Sequence, residues 1–319
     1  MFQILSVTAP IFVLIGLGFA IAKKGFLPRE TLAPLGRFIL YLAIPALIFR
    51  TLSSRDLFAE VEPLFLLAYG GSACVSFLLG FLVSRYVLRN SLALSGLVSL
   101  GVSLPNTVFI GYPLLTQVFG DATSAAFAMA ISLENLVLMP LAFFLLEVGV
   151  GTEDGESKRP LDAIRAIARR LATNPLILAL LVGAVVSLLH IPVPAFLAKT
   201  VDLLAMAGPA TALIYIGASL AGASPRGDLG ETTFVTVGKL VIHPSLAALA
   251  VFVLPPFDPK LQAAAILLAS APMMSIFPII GARYGFGTFA ARIMMICTAT
   301  AFVTISTILW LGGGWLHAL

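Results

Sequence analysis

Pro105, Asn106 and Thr107 interrupt an apolar run in the segment SLPNTVFIGYPLL (103–115), and Gly111 and Pro113 follow within two turns. Each proline removes a backbone donor and crowds the carbonyl one turn earlier, while Gly111 adds freedom. A helix that restarts near Thr107 points N–H groups and the positive end of its dipole inward, which suits a carboxylate. The helix before the break offers carbonyl oxygens, which suit a cation or a proton carrier. Asn106 can donate and accept, so it is a candidate substrate contact; the alternative is a kink repaired by neighbouring helices. A second segment, SAPMMSIFPIIG (270–281), is interrupted in the same way by Pro272 and Pro278, so Pro105, Thr107, Pro113, Pro272, Met273 and Pro278 join Asn106 as candidate substrate-binding residues.

Ionisable residues inside apolar runs are the other candidates. Glu134, beside Asn135, would cost about 2.5–3.5 kcal/mol at the centre of a bilayer. It is therefore expected to be neutral, paired or a proton carrier with Asn135 at its side, the alternative being a structural hydrogen bond. Lys239 and His243 lie four apart in GKLVIHP (238–244) and so share a helix face. The lysine could offset a substrate carboxylate and the histidine could titrate with a driving proton. Equally, Lys239 could snorkel to an interface, and His243 could satisfy a carbonyl freed by Pro244. Arg292 is expected to snorkel. Gln117, Ser132 and Thr211 offer polar lining, and Gly70, Gly71, Ser72 and Ala73 suit close helix packing.

The elements that must position these groups follow from composition. Of 319 residues, 60% are hydrophobic and 11% charged, and the mean hydropathy is +1.06. A soluble chain carries about 25% charged residues, so this one cannot cover a water-facing surface. Ten apolar spans are expected at about 4–22, 34–52, 63–84, 92–119, 122–147, 175–190, 196–222, 231–254, 261–282 and 288–311. The class is an all-α polytopic membrane protein. The first span is expected to be retained, because Lys23 and Lys24 follow rather than precede it. Cys74 and Cys297 lie inside apolar runs and no disulfide is expected.

When loops are assigned alternately to two sides, thirteen Lys and Arg fall on one side and four on the other. The thirteen mark the cytoplasm and place both termini outside. Trp310 and Trp315 suit an interfacial anchor at the outer end of the last span. The net charge of +4 thus reports orientation, and no nucleic-acid partner is expected. The long polar connection, 149–174, holds LDAIRAIARRLA (161–172), which fits a basic amphipathic helix on an anionic membrane surface or a solvated linker helix.

The halves 1–148 and 175–319 resemble each other. Pro10 matches Pro175, Gly18 matches Gly183 and Pro113 matches Pro278, each at an offset of 165, and Pro45 matches Pro209 at 164. Five spans per repeat is odd, so the second copy enters the membrane from the opposite side. Such inverted repeats, with interrupted helices at corresponding places, are characteristic of secondary transporters that bind substrate near the midplane.

SLPNTVFIGYPLL, ILYLAIPALIFRTL (39–52), NPLILALLVGAVVSLLHIPVP (174–194) and GPATALIYIGASLAG (208–222) resemble the auxin efflux carrier family, which includes plant auxin exporters and bacterial malonate or malate carriers. The resemblance covers nearly the whole chain. It implies ten helices with crossing broken helices in the fourth and ninth spans, and transport of small organic anions. It carries a binding role onto Asn106, Pro113 and Pro278. The short central loop is similar to that of the bacterial members, which implies a cytoplasmic (inner) membrane protein.

No HExxH, GxSxG, paired-aspartate or Cys/His cluster occurs, so an enzyme is not expected. The expected function is a secondary transporter moving a small carboxylate such as malonate, malate or an auxin-like acid by alternating access. An anion channel and a non-transporting sensor are the alternatives. No cofactor is expected beyond a coupling H+ or Na+, and the partners are the carboxylate and the bilayer, with room for a homodimer.

Overall fold

Proline positions explain much of the local helix geometry. In the computed structural model, which describes residues 2–53, 61–120, 124–153, 165, 169, 172–173, 175–222 and 229–312, no strand of regular length occurs among the described residues. The helices are α1 Phe2–Lys23, α2 Glu30–Ser53 and α3 Pro63–Val87. The shorter α4 Leu92–Ser103 and α5 Thr107–Phe119 come next, then α6 Ala125–Val150, α7 Pro175–Leu188, α8 Ala195–Leu220 and α9 Gly230–Val253. The chain continues with α10 Pro259–Ser270, α11 Phe277–Arg283 and α12 Gly287–Leu311.

All ten apolar spans read from the sequence fall on helices. Six of these, α2, α3, α6, α8, α9 and α12, are long and apolar enough to cross a membrane. The remaining spans are shorter, or are divided between α4 and α5 and between α10 and α11. The basic segment 161–172 and Trp315 lie outside the described residues, apart from Arg165, Arg169 and Ala172. Cys74 and Cys297 are free thiols, one exposed and one buried.

Several helices widen into a π turn. The widenings at Ile39–Ala43, Thr107–Gly111, Glu134–Leu138 and Gly238–Ile242 are each followed, two positions after they end, by Pro45, Pro113, Pro140 or Pro244. The proline ring crowds the carbonyl four residues earlier, and that carbonyl lies inside the π turn each time. Widening the turn relieves the crowding and keeps the helix continuous, at the place where π turns tend to carry function. Proline is neither sufficient nor required: Pro10, Pro34 and Pro209 sit in ordinary α turns, and the π turns at Leu66–Gly70 and Val83–Val87 have no proline two positions after they end.

Glycine lets the helices approach. α1 packs on α8 and α2 on α7. A Cβ on Gly18 would lie 2.1 Å from Ile214 O, and one on Gly217 would lie 1.8 Å from Ile15 O. On α7, a Cβ at Gly183 would lie 2.9 Å from the Leu52 side chain. Elsewhere α3 packs on α4, α9 on α10, and α3 on α9. Exchanging the two halves converts the α1–α8 contact into the α7–α2 contact, and α3–α4 into α9–α10.

The interruptions meet. Asn106 N–H donates to Pro272 O at 2.6 Å, and Met274 N–H donates to Leu104 O at 3.3 Å. Pro105 and Met273 thereby form an isolated antiparallel bridge. Backbone groups freed in a membrane interior must be satisfied within the protein, and the two breaks satisfy each other.

Candidate functional site

α4 stops because Leu104 and Pro105 leave helical geometry; α5 begins one residue later with Asn106 as its cap. Asn106 is 3% exposed. Its Oδ1 accepts from Phe109 N–H at 3.2 Å, its carbonyl accepts from Ile110 and Gly111 N–H at 3.0 and 2.9 Å, and its Nδ2 donates to Ser275 Oγ at 2.6 Å. One side chain thus caps a helix of the first half and holds the break of the second. The N–H groups of Thr107 and Val108, at the first turn of α5, lack intrahelical acceptors. The N–H groups of this end are not all free for a ligand, because the Asn106 side chain takes the one at Phe109.

A carboxyl group lies against the same end. Glu134, the first residue of its π turn, is 5% exposed and accepts hydrogen bonds from the hydroxyls of Thr107 and Tyr69. Those two hydroxyls are 3.4 Å apart. The carboxyl group therefore sits at the positive end of α5, where the helix dipole favours its ionised form over its protonated one. Asn135 donates from Nδ2 to Ile131 O at 2.8 Å, and its buried Oδ1 has no partner among the described residues. Pro105, Asn106, Thr107, Glu134, Asn135 and Ser275 line a common cavity of ≈60 Å³. That is well below the several hundred Å³ of a typical ligand cavity. Two larger recesses of ≈380 and ≈450 Å³ lie away from these groups and are lined mainly by aliphatic side chains.

Lys239 and His243 come together, but outside this cavity. Lys239 Nζ donates to Ala269 O at 2.7 Å and lies 3.0 Å from His243 Nδ1. Both residues are fully buried, so Lys239 does not snorkel. The Tyr69 ring stands between the two groups, its centroid 6.5 Å from that of His243 and its hydroxyl on Glu134. Arg292 is half-buried and donates from Nε to Thr232 Oγ1 at 3.1 Å, with its guanidinium 5.7 Å from the Phe289 ring centroid.

Of the remaining candidates, Pro272 supplies the carbonyl for Asn106, and Met273 is the bridge partner of Pro105. Pro113 and Pro278 lie near the starts of helical segments and do not line the cavity. The second break is longer than the first, and α11 resumes only at Phe277, where the N–H bonds back to Met274 O at 3.0 Å. Ser132 and Thr211 bond to their own helices, and Gln117 is exposed. Sequence reasoning missed Tyr69 and Ser275. A tyrosine inside an apolar span was the available signal for the first, since a buried phenol needs a partner; Ser275, within the second break, was the signal for the other.

Known proteins bear on this arrangement. The family model described as "Membrane transport protein" matches residues 3–311. The chain is 29% identical over 312 residues to a protein of Rhizobium meliloti (strain 1021) named "Putative malonate transporter", with 98% of this chain and 96% of that one covered. It is 24% identical to "Auxin efflux carrier component 8" of Arabidopsis thaliana, covering 70% of this chain and 73% of the relative. It is 23% identical to "Uncharacterized transporter YfdV" of Escherichia coli (strain K12), covering 74% of each. The resemblance to the auxin efflux carrier family is borne out.

Proposed function

The chain belongs to the Membrane transport protein family, and from that premise we propose that it is a secondary transporter of a small carboxylate, worked by alternating access around the paired helix breaks. The observation that carries this reading is Asn106, a buried amide bonded to both breaks at the edge of a small, mainly apolar cavity into which Thr107, Glu134, Asn135 and Ser275 bring the polar groups. The carboxylate meets the Asn106 amide, the first N–H groups of α5 and the Ser275 hydroxyl. Pro105, Pro272, Met273, Pro113 and Pro278 shape the two breaks and make no polar contact with substrate. The cavity is too small for a dicarboxylate as it stands, so substrate enters only when the elements around the breaks separate. That requirement ties binding to the conformational cycle.

Glu134, Thr107 and Asn135 form the coupling site. An acidic side chain and an unpartnered amide oxygen face the same space, which suits H+ or Na+ rather than the anion itself. The two halves are proposed as inverted five-helix repeats, supported by the constant sequence offset and the exchangeable helix contacts. The Lys and Arg distribution favours both termini outside a bacterial cytoplasmic membrane, with 149–174 in the cytoplasm. The name of the Rhizobium meliloti relative makes malonate the first compound to try.

The test is binding by purified protein. Malonate or a related mono- or dicarboxylate should raise the wild-type melting temperature saturably, because a ligand of the native state stabilises it by mass action. Asn106→Ala should abolish the shift. A carboxylate shift of wild-type size in Asn106→Ala would overturn the site, and no shift with any carboxylate would overturn the substrate class.

A further inference from the structure

The Lys239 amine is used by neither the substrate site nor the coupling site. α10 ends at Ser270, and the last carbonyls of a helix have no internal partners. Leu267 O accepts from the Ser270 hydroxyl at 2.7 Å, and Leu268 O accepts from Ala271 N–H at 3.2 Å. Ala269 O is met by Lys239 Nζ, reaching across from α9 at 2.7 Å. The same nitrogen lies 3.0 Å from His243 Nδ1. An ammonium has no lone pair, so Nδ1 accepts and the imidazole hydrogen is assigned to Nε2. That Nε2 is buried with no partner among the described residues.

Lys239 is 0% exposed, and among the described residues no Asp or Glu oxygen lies within 4.0 Å of it. A buried cation without a carboxylate in contact is costly. The groups in contact that offset it are the carbonyl and negative dipole end of α10 and the imidazole lone pair, with the Glu134 carboxyl acting from farther off. The other interrupted helix ends differently. At the end of α4, Ser99 O accepts from the Ser103 hydroxyl at 2.7 Å and Leu100 O accepts from Leu104 N–H at 3.0 Å, with no Lys or Arg bonded there among the described residues. Both broken ends carry a hydroxyl and a peptide contact, and among the described residues the α10 end adds a positive side chain from a neighbouring helix.

We propose that the carbonyl end of α10, with His243 Nδ1, is a monovalent-cation site that the chain fills permanently with its own Lys239 side chain. The tethered ammonium supplies at this break the charge that a free ion would otherwise bring. Deleting it leaves a vacancy with the chemistry of a small alkylammonium or alkali ion: a carbonyl oxygen, an imidazole lone pair and a helix C-terminus. The inference is read out as stability rather than flux, so it stands or falls apart from the transport reading.

The experiment uses Lys239→Ala, purified in methylammonium chloride and exchanged into choline chloride. Its melting temperature is followed as Na+, K+ or methylammonium replaces choline at constant ionic strength. Wild type should be indifferent to the cation. The variant should lose several degrees in choline and recover them saturably with methylammonium, the piece of side chain that was deleted. Lys239→Gln, whose amide can still donate to Ala269 O without a charge, guards against simple collapse of the alanine variant and should also respond to the small cations. A stability of Lys239→Gln equal to wild type in choline would overturn the proposal. So would a loss in both variants that none of the three cations repairs, since the side chain would then be a packing strut.

Discussion

Asn106 and Ser275, 169 positions apart, are joined by a 2.6 Å hydrogen bond from the amide nitrogen to the hydroxyl oxygen. That bond links the break between α4 and α5 to the break between α10 and α11. The cap on Phe109 fixes the amide from its other end, so the two breaks are held in register by one residue. Asn106→Ala removes both contacts and should cost about 1–3 kcal/mol, from the lost cap and the partners left unpaired. Ser275→Ala should cost about 1 kcal/mol. In a double-mutant cycle followed by chemical or thermal unfolding, the pair should depart from additivity by at least about 0.5 kcal/mol. Additive effects would mean that the bond carries no energy.

Glu134 accepts from two hydroxyls, and its removal tests the coupling site separately from the anion site. Glu134→Gln keeps the size and an acceptor oxygen but cannot ionise. It should fold, should still bind carboxylate in the thermal-shift assay, and should take up substrate at a rate that no longer changes with pH. Uptake retaining the wild-type pH profile would exclude Glu134 as the proton carrier.

Tyr69→Phe removes the hydroxyl shared by Glu134 and Thr107 and leaves the buried carboxyl with one donor fewer. The expected destabilisation is about 1–3 kcal/mol, read as a lower melting temperature with the helix content unchanged. The stacking of the ring on Phe65, 5.7 Å between centroids, survives this change. A melting temperature equal to wild type would show that the hydroxyl contributes nothing to the buried network.

The α1–α8 crossing makes a prediction about packing. No atom lies within 4 Å of a Cβ built on Gly16, whereas those built on Gly18 and Gly217 would strike backbone carbonyls. Backbone cannot rotate aside as a flexible side chain can. Gly18→Ala and Gly217→Ala should therefore lower the yield of monodisperse protein sharply, with a cost at or above about 1–3 kcal/mol. Gly16→Ala should behave as wild type in size-exclusion chromatography. Equal yields from all three would contradict the close approach.

Pro140 tests the link between proline and the π turns. Replacing it with alanine removes the ring that crowds Leu136 O and allows Glu134–Leu138 to rewind as an α turn. That rewinding would swing Glu134 away from Thr107. Pro140→Ala should preserve or raise the melting temperature, because an interior proline is a poor helix residue, while impairing uptake. Unchanged uptake would show that the wide turn is not what positions Glu134.

Much of this arrangement was legible in the residues. Apolar run lengths located the helices, and Pro105 with Pro272 marked both interruptions, because a missing donor and a ring clash have few remedies inside a span. Glu134 and Lys239 stood out as charges at membrane depth. The wide turns were not foreseen, since a proline within a helix can be absorbed by a kink, a break or a π turn, and Pro209 lies in an unbroken α-helix while Pro244 follows a π turn. Nor could spacing show that Lys239 would choose Ala269 O over an aqueous interface. That choice depends on which carbonyl another helix leaves unpartnered, a tertiary fact. Tyr69 was overlooked for a related reason: its phenol is ordinary in an apolar span until a carboxyl from α6 is packed against it.

The central claim is a carboxylate carrier built on the paired breaks, and counterflow tests it most directly. Vesicles reconstituted with the protein and loaded with unlabelled malonate, or with whichever carboxylate the thermal-shift screen selects, are diluted into a trace of the labelled compound. The account predicts transient, saturable accumulation of label that depends on the internal load and disappears in Asn106→Ala. Label entry that is linear with concentration and indifferent to the load would identify a pore, and no entry at all would leave a binding protein that does not transport; either result contradicts the account.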